Sequence, residues 1–212
     1  MDEQTPQPPI PQQPVPQRPV PEPSHAAVAS DPGGLSIDPD RLRRLSPSLF
    51  GLSGLLPANV ARRTSLTRHV RIGDTRAAVV VAVEPLVVAA YSDDFDAVVL
   101  LRFDPGPTDL DLQVGTRLLT VNTFGNDGPV APDIARGPLA STGWSHVHPV
   151  IADFVCPRSE LDRVERRKQA IREDEWQRTA FLGRQYLATR PGQLRDGAPH
   201  LARRPARNPA AR

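Results

Sequence analysis

The stretch AAVVVAVEPLVVAAYSDDFDAVVLLRF, residues 77–103, decides the fold of this chain. It holds apolar runs of strand length, separated by Glu84-Pro85 and by the acidic turn 92–96. Short runs rich in valine and bounded by proline or by Ser/Asp clusters are typical of β-strands. Because the first run is apolar at every position, we expect it to be covered on both faces. We therefore predict strands over 77–83, 86–91 and 97–103.

More strands are predicted on either side of this core. Residues 68–72 and 117–124 have the composition of strands, and the last apolar stretch, 143–156, ends at Pro157. Glycine, proline and aspartate dominate residues 125–143, which predicts a long loop. Loops of that length are usually either functional or disordered. Together these segments predict a small antiparallel sheet or a partly open barrel.

Helices are predicted before and after the sheet. Asp38-Pro39 is a good helix start, because aspartate caps the first amides and proline suits the first helical position. Ser159 begins a long charged helix that ends near residue 189. Its apolar residues form two stripes about one position out of phase, which predicts a kink near Glu173. The predicted fold class is therefore α+β.

The chain divides into four predicted segments. Residues 1–35 form a disordered proline-rich tail, because each proline fixes φ and removes a backbone donor. The PxxP spacing in this tail fits a polyproline ligand of a protein partner, and a semi-rigid tether is the alternative. A short helical or irregular lead-in, 36–63, precedes the α+β domain, 64–190. Residues 191–212 form a disordered arginine-rich tail.

Charge is spread unevenly over a chain whose formal net charge is only +2. Residues 190–212 contain six arginines and one aspartate. Such a tail attracts nucleic acid or acidic surfaces. Lys168 is the only lysine, so the alternative is a general bias of the chain toward arginine and a tail that is merely solvated.

The sequence also predicts a compartment. A single cysteine excludes an internal disulfide and a CxxC-type zinc framework. The first residues, MDEQTPQPP, lack the basic start and apolar region of a secretory signal. The longest apolar run is interrupted by Glu84-Pro85 and falls short of the roughly 20 residues of a membrane-spanning helix. We therefore expect a cytoplasmic protein that does not associate with membranes.

Two histidines in GWSHVHPVIADFVCP, residues 143–157, raise the question of a metal site. On an extended strand His146 and His148 face the same side, about 6.6 Å apart. Cys156 would lie about 26 Å away along the same strand, too far to join them unless the chain folds back at Pro149. A third ligand would have to come from elsewhere, and Asp94 in the acidic turn is the predicted carboxylate.

Other residues are alternatives for that third ligand, namely His69, Asp93 and Asp96. A purely structural interpretation of the same stretch places its apolar side chains in the core and the histidines near the outer end of the strand. The predicted core residues are Trp144, Val150, Ala152 and Phe154. Cys156 is then a small buried hydrophobe, or else a reactive thiol at the start of the following helix.

The sequence favours a non-enzymatic binding or scaffolding module tethered by flexible tails. Neither a phosphate-binding glycine loop nor a nucleophile elbow occurs in it. The predicted partner is a protein, bound through the proline-rich tail or the charged helix, and no cofactor is predicted. One alternative is a metal-dependent hydrolase that uses His146 and His148 with a carboxylate of the 93–96 turn, Asp94 in the predicted site, and zinc is the candidate ion. The second alternative is a nucleic-acid accessory protein that binds through the arginine-rich tail.

Overall fold

The computed structural model describes residues 31–104 and 106–199, without the side chains of residues 52 and 53. Its helices are α1 Pro39–Leu45, α2 Pro57–Ile72, α3 Ala152–Val155, α4 Leu161–Ala170 and α5 Glu173–Thr189. Its strands are β1 Asp74–Val83, β2 Leu86–Ser92, β3 Ala97–Phe103, β4 Arg117–Gly125, β5 His146–Ile151 and β6 Arg195–Asp196. Short 3-10 turns occur at Pro47–Leu49, Leu52–Leu55 and Arg158–Glu160.

The strands form one curled, mixed sheet with the order β5-β4-β1-β2-β3-β6. Neighbouring strands are antiparallel except β6, which runs parallel to β3. The two ends of the sheet approach each other, because Arg195 on β6 donates to the carbonyl oxygen of Val147 on β5 at 2.6 Å. A side chain therefore closes this half-barrel where backbone hydrogen bonds would close a full barrel. We call the line between β5 and β6 the seam.

The strands predicted from residues 77–103 are confirmed. β3 has the predicted bounds, β2 differs by one residue, and β1 begins three residues earlier at Asp74. Glu84-Pro85, with a cis peptide bond, forms the turn between β1 and β2. The α+β class is confirmed as well, but the sheet is mixed, because β6 adds a parallel edge that the sequence did not indicate.

Helix α5 covers one face of strands β1 to β3. Trp176 is buried against Ala77 and Val79, and Leu182 packs with residues of β2 and β3. Gly183 lets the helix approach closely, since a Cβ added there would lie only 2.6 Å from the Cβ of Ala89. β1 is therefore buried on both faces, as predicted. Helix α5 covers one face, and the main core covers the other.

The main core joins the sheet to the remaining helices. It includes Leu66 of α2, Phe154 of α3 and Val164 of α4. The rings of Phe103 and Phe154 meet edge to face, with centroids 4.9 Å apart. Edge-to-face pairs of this kind add about 0.5–1.5 kcal/mol to the effect of area burial.

The strand predicted over 68–72 is wrong, since these residues form the last part of α2. Pro57 occupies the first turn of this helix, and no proline or glycine follows before Gly73. Leu66 and Val70 are buried on one face of this helix. Residues 68–72 alone are too few to distinguish this helical spacing of apolar residues from the alternation of a strand. Helix α2 also crosses the predicted division between residues 63 and 64.

The long strand predicted over 143–156 is shorter than expected. β5 ends at Ile151, and the next four residues form α3, so Ala152 and Phe154 are buried on a helical turn. Trp144 precedes β5, half-buried, and its ring packs on Phe124 with centroids 5.6 Å apart. A short apolar run does not distinguish a buried strand from a buried helical turn by its periodicity, and this is the cause of the error.

The long charged helix predicted from Ser159 to about 189 is divided into α4 and α5. The division falls at Ile171 and Arg172, next to the predicted kink at Glu173. It lets α4 contact β4 while α5 crosses β1, β2 and β3.

Both predicted tails are folded at their inner ends. Pro32 forms a bridge with Asp74, and Leu35 is buried in the core, although both belong to the predicted tail 1–35. Arg195 and Asp196 form β6, inside the predicted tail 191–212. The rest of both tail predictions concerns residues 1–30 and 200–212, which lie outside the described residues. Among the helices that the structure describes, none has the length and apolar character needed to cross a membrane.

Candidate functional site

A cavity of about 510 Å³ lies at the seam, between the two edge strands of the sheet. Strands β3, β5 and β6 contribute to its lining, together with the loops around residues 132 and 193. Its apolar lining residues include Leu101, Ala131, Pro132, Pro149, Leu194 and Ala198. Its ionisable lining residues are Asp133, His146, His148, Arg195 and Asp196. We call this space the seam cavity.

Arg195 is held in place on both sides of the seam cavity. Its Nε and Nη2 donate to the two carboxylate oxygens of Asp133 at 2.7 and 2.8 Å, while Nη1 donates to Val147. Paired hydrogen bonds between arginine and a carboxylate fix geometry as well as charge. Arg195 is therefore a strut between the edges of the sheet, and its charge is balanced by Asp133.

The outer edge of β5 is poorly suited to pairing with an added strand. The carbonyl of Val147 points away from β4, since it accepts from Arg195. Residues two positions apart on a strand direct their backbone groups the same way, so Pro149 also faces the open edge. Proline has no N–H to donate there. Side chains therefore define the seam cavity, and strand addition at this edge is disfavoured.

His146 and His148 lie side by side on β5. Their ring centroids are 6.3 Å apart and the ring planes differ by 20°. Nε2 of His146 lies 3.2 Å from the backbone oxygen of Asp127. The expectation that the two rings share one face of a strand is thus confirmed, and both rings line the seam cavity.

His148 is uncharged at neutral pH. Its burial, the positive charge of Arg195 and the neighbouring His146 lower its pKa to about 4. A neutral imidazole offers one donor and one acceptor for hydrogen bonds. At this position it can bind a polar group of a ligand without adding a charge to the cavity.

Asp94, the predicted third metal ligand, lies in the turn between β2 and β3. Burial and the neighbouring carboxylates of Asp93 and Asp74 raise its pKa to about 6. Within residues 31–104 and 106–199, no three His, Cys, Asp or Glu side chains form a group that could hold a metal ion. The structure thus brings His146 and His148 together and does not assemble them with Asp94, and zinc binding stays a prediction.

The other carboxylates of the acidic turn have structural partners. Asp96 accepts from Nε and Nη2 of Arg178 at 2.7 and 2.6 Å, which ties the turn to α5. Arg76 pairs with both Asp74 and Asp93, at 2.7 and 2.6 Å. These ion pairs join β1 and α5 to the turn between β2 and β3.

His69 and Cys156 are buried away from solvent. Nε2 of His69 lies 2.8 Å from the carbonyl oxygen of Val121, and Nδ1 lies 3.1 Å from Oγ1 of Thr123. The thiol of Cys156 is buried, and burial raises its pKa to about 12. Cys156 belongs to the main core, as expected for a small buried hydrophobe.

Sequence reasoning missed Asp133 and Arg195. Asp133 was one acidic residue in a long loop, and Arg195 was one arginine among several in a predicted tail. The only available signal was the length of the loop 125–143, which indicated a functional segment. Their pairing could not be predicted, because it depends on β6 returning beside β3.

Comparisons of this chain with protein-family models, with curated proteins and with solved structures found no match.

Proposed function

We propose that this chain is a non-enzymatic binding module and that the seam cavity is its ligand site. The observation that carries the proposal is the cavity itself, about 510 Å³ of mainly apolar lining with a few polar groups at one place. Sites for small ligands are typically concave and apolar, with volumes of about 300–1,000 Å³ and a small number of orienting polar groups.

Two ionisable groups of the seam cavity, His148 and Arg195, are better suited to binding than to acid–base catalysis. A general acid or base works best when its pKa lies near the working pH. The pKa of His148, about 4, keeps that ring neutral. Arg195 is engaged by Asp133 and by the carbonyl of Val147. These groups can orient a ligand while their own protonation states stay fixed.

The lining also indicates the class of ligand. Leu101, Leu194 and Pro149 provide apolar contact. The charges of Asp133 and Arg195 balance each other, and the side chain of Asp196 is exposed to solvent. The ligand that fits best is an uncharged molecule, or a side chain of a partner, with an apolar body and one hydrogen-bonding end. That end would meet the ring of His148.

Indole tests this proposal, since it has an apolar body and a single N–H donor. Methyl resonances of Leu101 and Leu194 are followed by NMR during an indole titration of the full chain. We expect saturable shifts of these methyl groups. Ala131→Trp should abolish the shifts by filling the cavity, whereas Ala188→Trp, on the exposed side of α5, should retain them. Shifts that never saturate, or that persist in a folded Ala131→Trp variant, would refute the ligand site.

Two further parts of the proposal come from the sequence. Tethering through the proline-rich segment rests on residues 1–30, which lie outside the described residues. A cytoplasmic location is likewise a proposal that comes from the sequence alone.

A further inference from the structure

A second cavity, of about 470 Å³, lies between the turn that joins β1 to β2 and the segment that follows β3. Leu86 and Phe103 line it as buried side chains, and Leu110 and Leu112 line it as half-buried ones. The cavity is therefore a depression with apolar side chains in its lining, at the opposite end of β3 from the acidic turn. We call it the acidic groove because of the charges around it.

Every charged side chain that lines the acidic groove is a carboxylate. These residues are Glu84, Asp104 and Asp111, and all three are exposed. Asp104 is paired with Arg102 at 2.9 Å across the surface. Within the part of the chain that the structure describes, Glu84 and Asp111 have no cationic partner within 4.0 Å. The groove therefore combines apolar contact with unneutralised negative charge.

The described chain ends close to this groove. β6 runs parallel to β3, and Gly197, just after β6, donates its N–H to the carbonyl of Arg102 at 2.7 Å. Gly197 also lies against the ring of Phe103, because a Cβ added to it would be 2.6 Å from Cζ of that ring. Phe103 itself lines the groove. The backbone thus arrives beside the groove two residues before Pro199, where the description ends.

The next residues have the complementary chemistry. The segment 200–212, HLARRPARNPAAR, contains four arginines, an early leucine and no acidic residue. An extended segment of this length spans up to about 40 Å, so its reach does not limit the contact. Attachment beside the groove also gives it an effective concentration on the order of millimolar.

We propose that the acidic groove binds the chain's own arginine-rich segment, residues 200–212. Leu201 contacts the apolar lining near Phe103, and Arg203 and Arg204 lie beside Asp111 and Glu84. Exposed ion pairs contribute little, so tethering and the burial of Leu201 supply much of the affinity. The contact is consequently weak and sensitive to salt.

NMR relaxation of the full-length chain tests this inference directly. Backbone order parameters of residues 201–204 should exceed about 0.6 at low ionic strength, the value below which backbone is flexible. They should fall in about 0.5 M NaCl, since salt screens exposed charges. Asp111→Lys should lower them in the same way. The matched control is Asp162→Lys, which reverses an exposed charge on α4 away from the groove and should leave them unchanged.

A charge exchange provides the decisive comparison. Arg204→Glu should lower the order parameters, and the double variant Asp111→Lys with Arg204→Glu should restore them. Methyl resonances of Leu86 and Leu110 should follow the same pattern, because both residues line the groove. The inference is overturned if the wild-type order parameters of residues 201–204 already lie below about 0.6. It is equally overturned if Asp111→Lys leaves them high, or if the methyl shifts occur only at Leu101 and Leu194 of the seam cavity.

Discussion

Single buried polar side chains tie the elements of this molecule together. Arg41 of α1 is buried and donates to the carbonyl oxygens of Asp153 and Cys156 at 3.0 and 2.7 Å. Its other terminal nitrogen pairs with Asp109 at 2.8 Å. One side chain thus satisfies backbone acceptors at the end of α3 and fixes α1 against it. A buried backbone carbonyl left without a donor would cost about 1–3 kcal/mol.

His69 makes the stability of the fold depend on pH. Burial lowers the pKa of His69 to about 4 from the ordinary value of 6.5. As the pH falls, the imidazole is therefore protonated in the unfolded chain at a higher pH than in the folded protein. The stabilising effect of the neutral ring is complete above about pH 6.5 and is lost between about pH 6.5 and 4. Between neutral pH and about pH 4.5, we expect this residue alone to account for roughly 2–3 kcal/mol of lost unfolding free energy.

Urea denaturation of wild type and His69→Gln at both pH values measures that contribution. Between neutral pH and about pH 4.5, the variant should lose roughly 2–3 kcal/mol less unfolding free energy than the wild type. His148 shifts in the same direction and Asp94 in the opposite one, but both are present in each protein and cancel in the comparison. Imidazole resonances of His69 that titrate near pH 6.5 in the folded protein would contradict this expectation.

Lys168, the only lysine, neutralises a buried carboxylate. Its Nζ lies 2.7 Å from Oδ1 of Asp153, whose other oxygen accepts from the backbone N–H of Leu119 at 2.7 Å. Lys168→Met should destabilise the protein by about 3 kcal/mol, because it leaves that buried charge uncompensated. The loss should be smaller at about pH 5 than at about pH 8, since burial already raises the pKa of Asp153 and protonation removes the charge.

Replacing both partners checks the reason for that loss. The double variant Lys168→Met with Asp153→Asn contains no buried charge at this site. Its free energy of unfolding, measured in denaturant, should therefore recover much of the loss seen in Lys168→Met. If the double variant is as unstable as the single one, the loss reflects packing of the lysine stem and not the carboxylate.

At the scale of elements, close packing of α5 on the sheet depends on one glycine. A Cβ at position 183 would lie 2.6 Å from Ala89 Cβ and 2.8 Å from Val81 Cγ1. Gly183→Ala gains up to about 1 kcal/mol in helix propensity, but overpacking costs about 1–3 kcal/mol. We therefore expect a net loss of stability in denaturant titrations. Gly192→Ala is the matched control and should be neutral, since nothing lies within 4 Å of an added Cβ there.

The elements that could be predicted from sequence are those with strong local signals. β2 and β3 lie between a proline turn and a Ser/Asp turn, and these breakers set their limits closely. Residues 68–72 of α2 and the turn α3 were predicted as strand, since hydrogen bonds to distant residues such as Val121 and Leu119 help to hold them in place. The paired histidines could be predicted from their spacing. Asp133 and Arg195 could not, because a long-range return of the chain brings them together.

At the scale of the whole molecule, the half-barrel depends on the strut across its seam. Arg195→Met removes the pair with Asp133 and the bond to Val147, so we expect a loss of about 2 kcal/mol in unfolding free energy. Amide hydrogen exchange should rise at β6 and β5 more than at β1 and β2. Arg184→Met, on the exposed surface of α5, should change neither quantity. Equal exchange at all strands in Arg195→Met would show that the seam is held by other contacts.

The position of Arg195 along the chain sets the order in which the molecule is completed during translation. Strands β1 to β5 precede α4 and α5, so the ribosome makes each strand that the structure describes, apart from β6, before the residue that bridges the seam. Since chains begin to fold while they are being synthesised, the bridge across the seam is among the later contacts that can form. The seam cavity, which Arg195 lines, is therefore completed only after α4 and α5 have been synthesised.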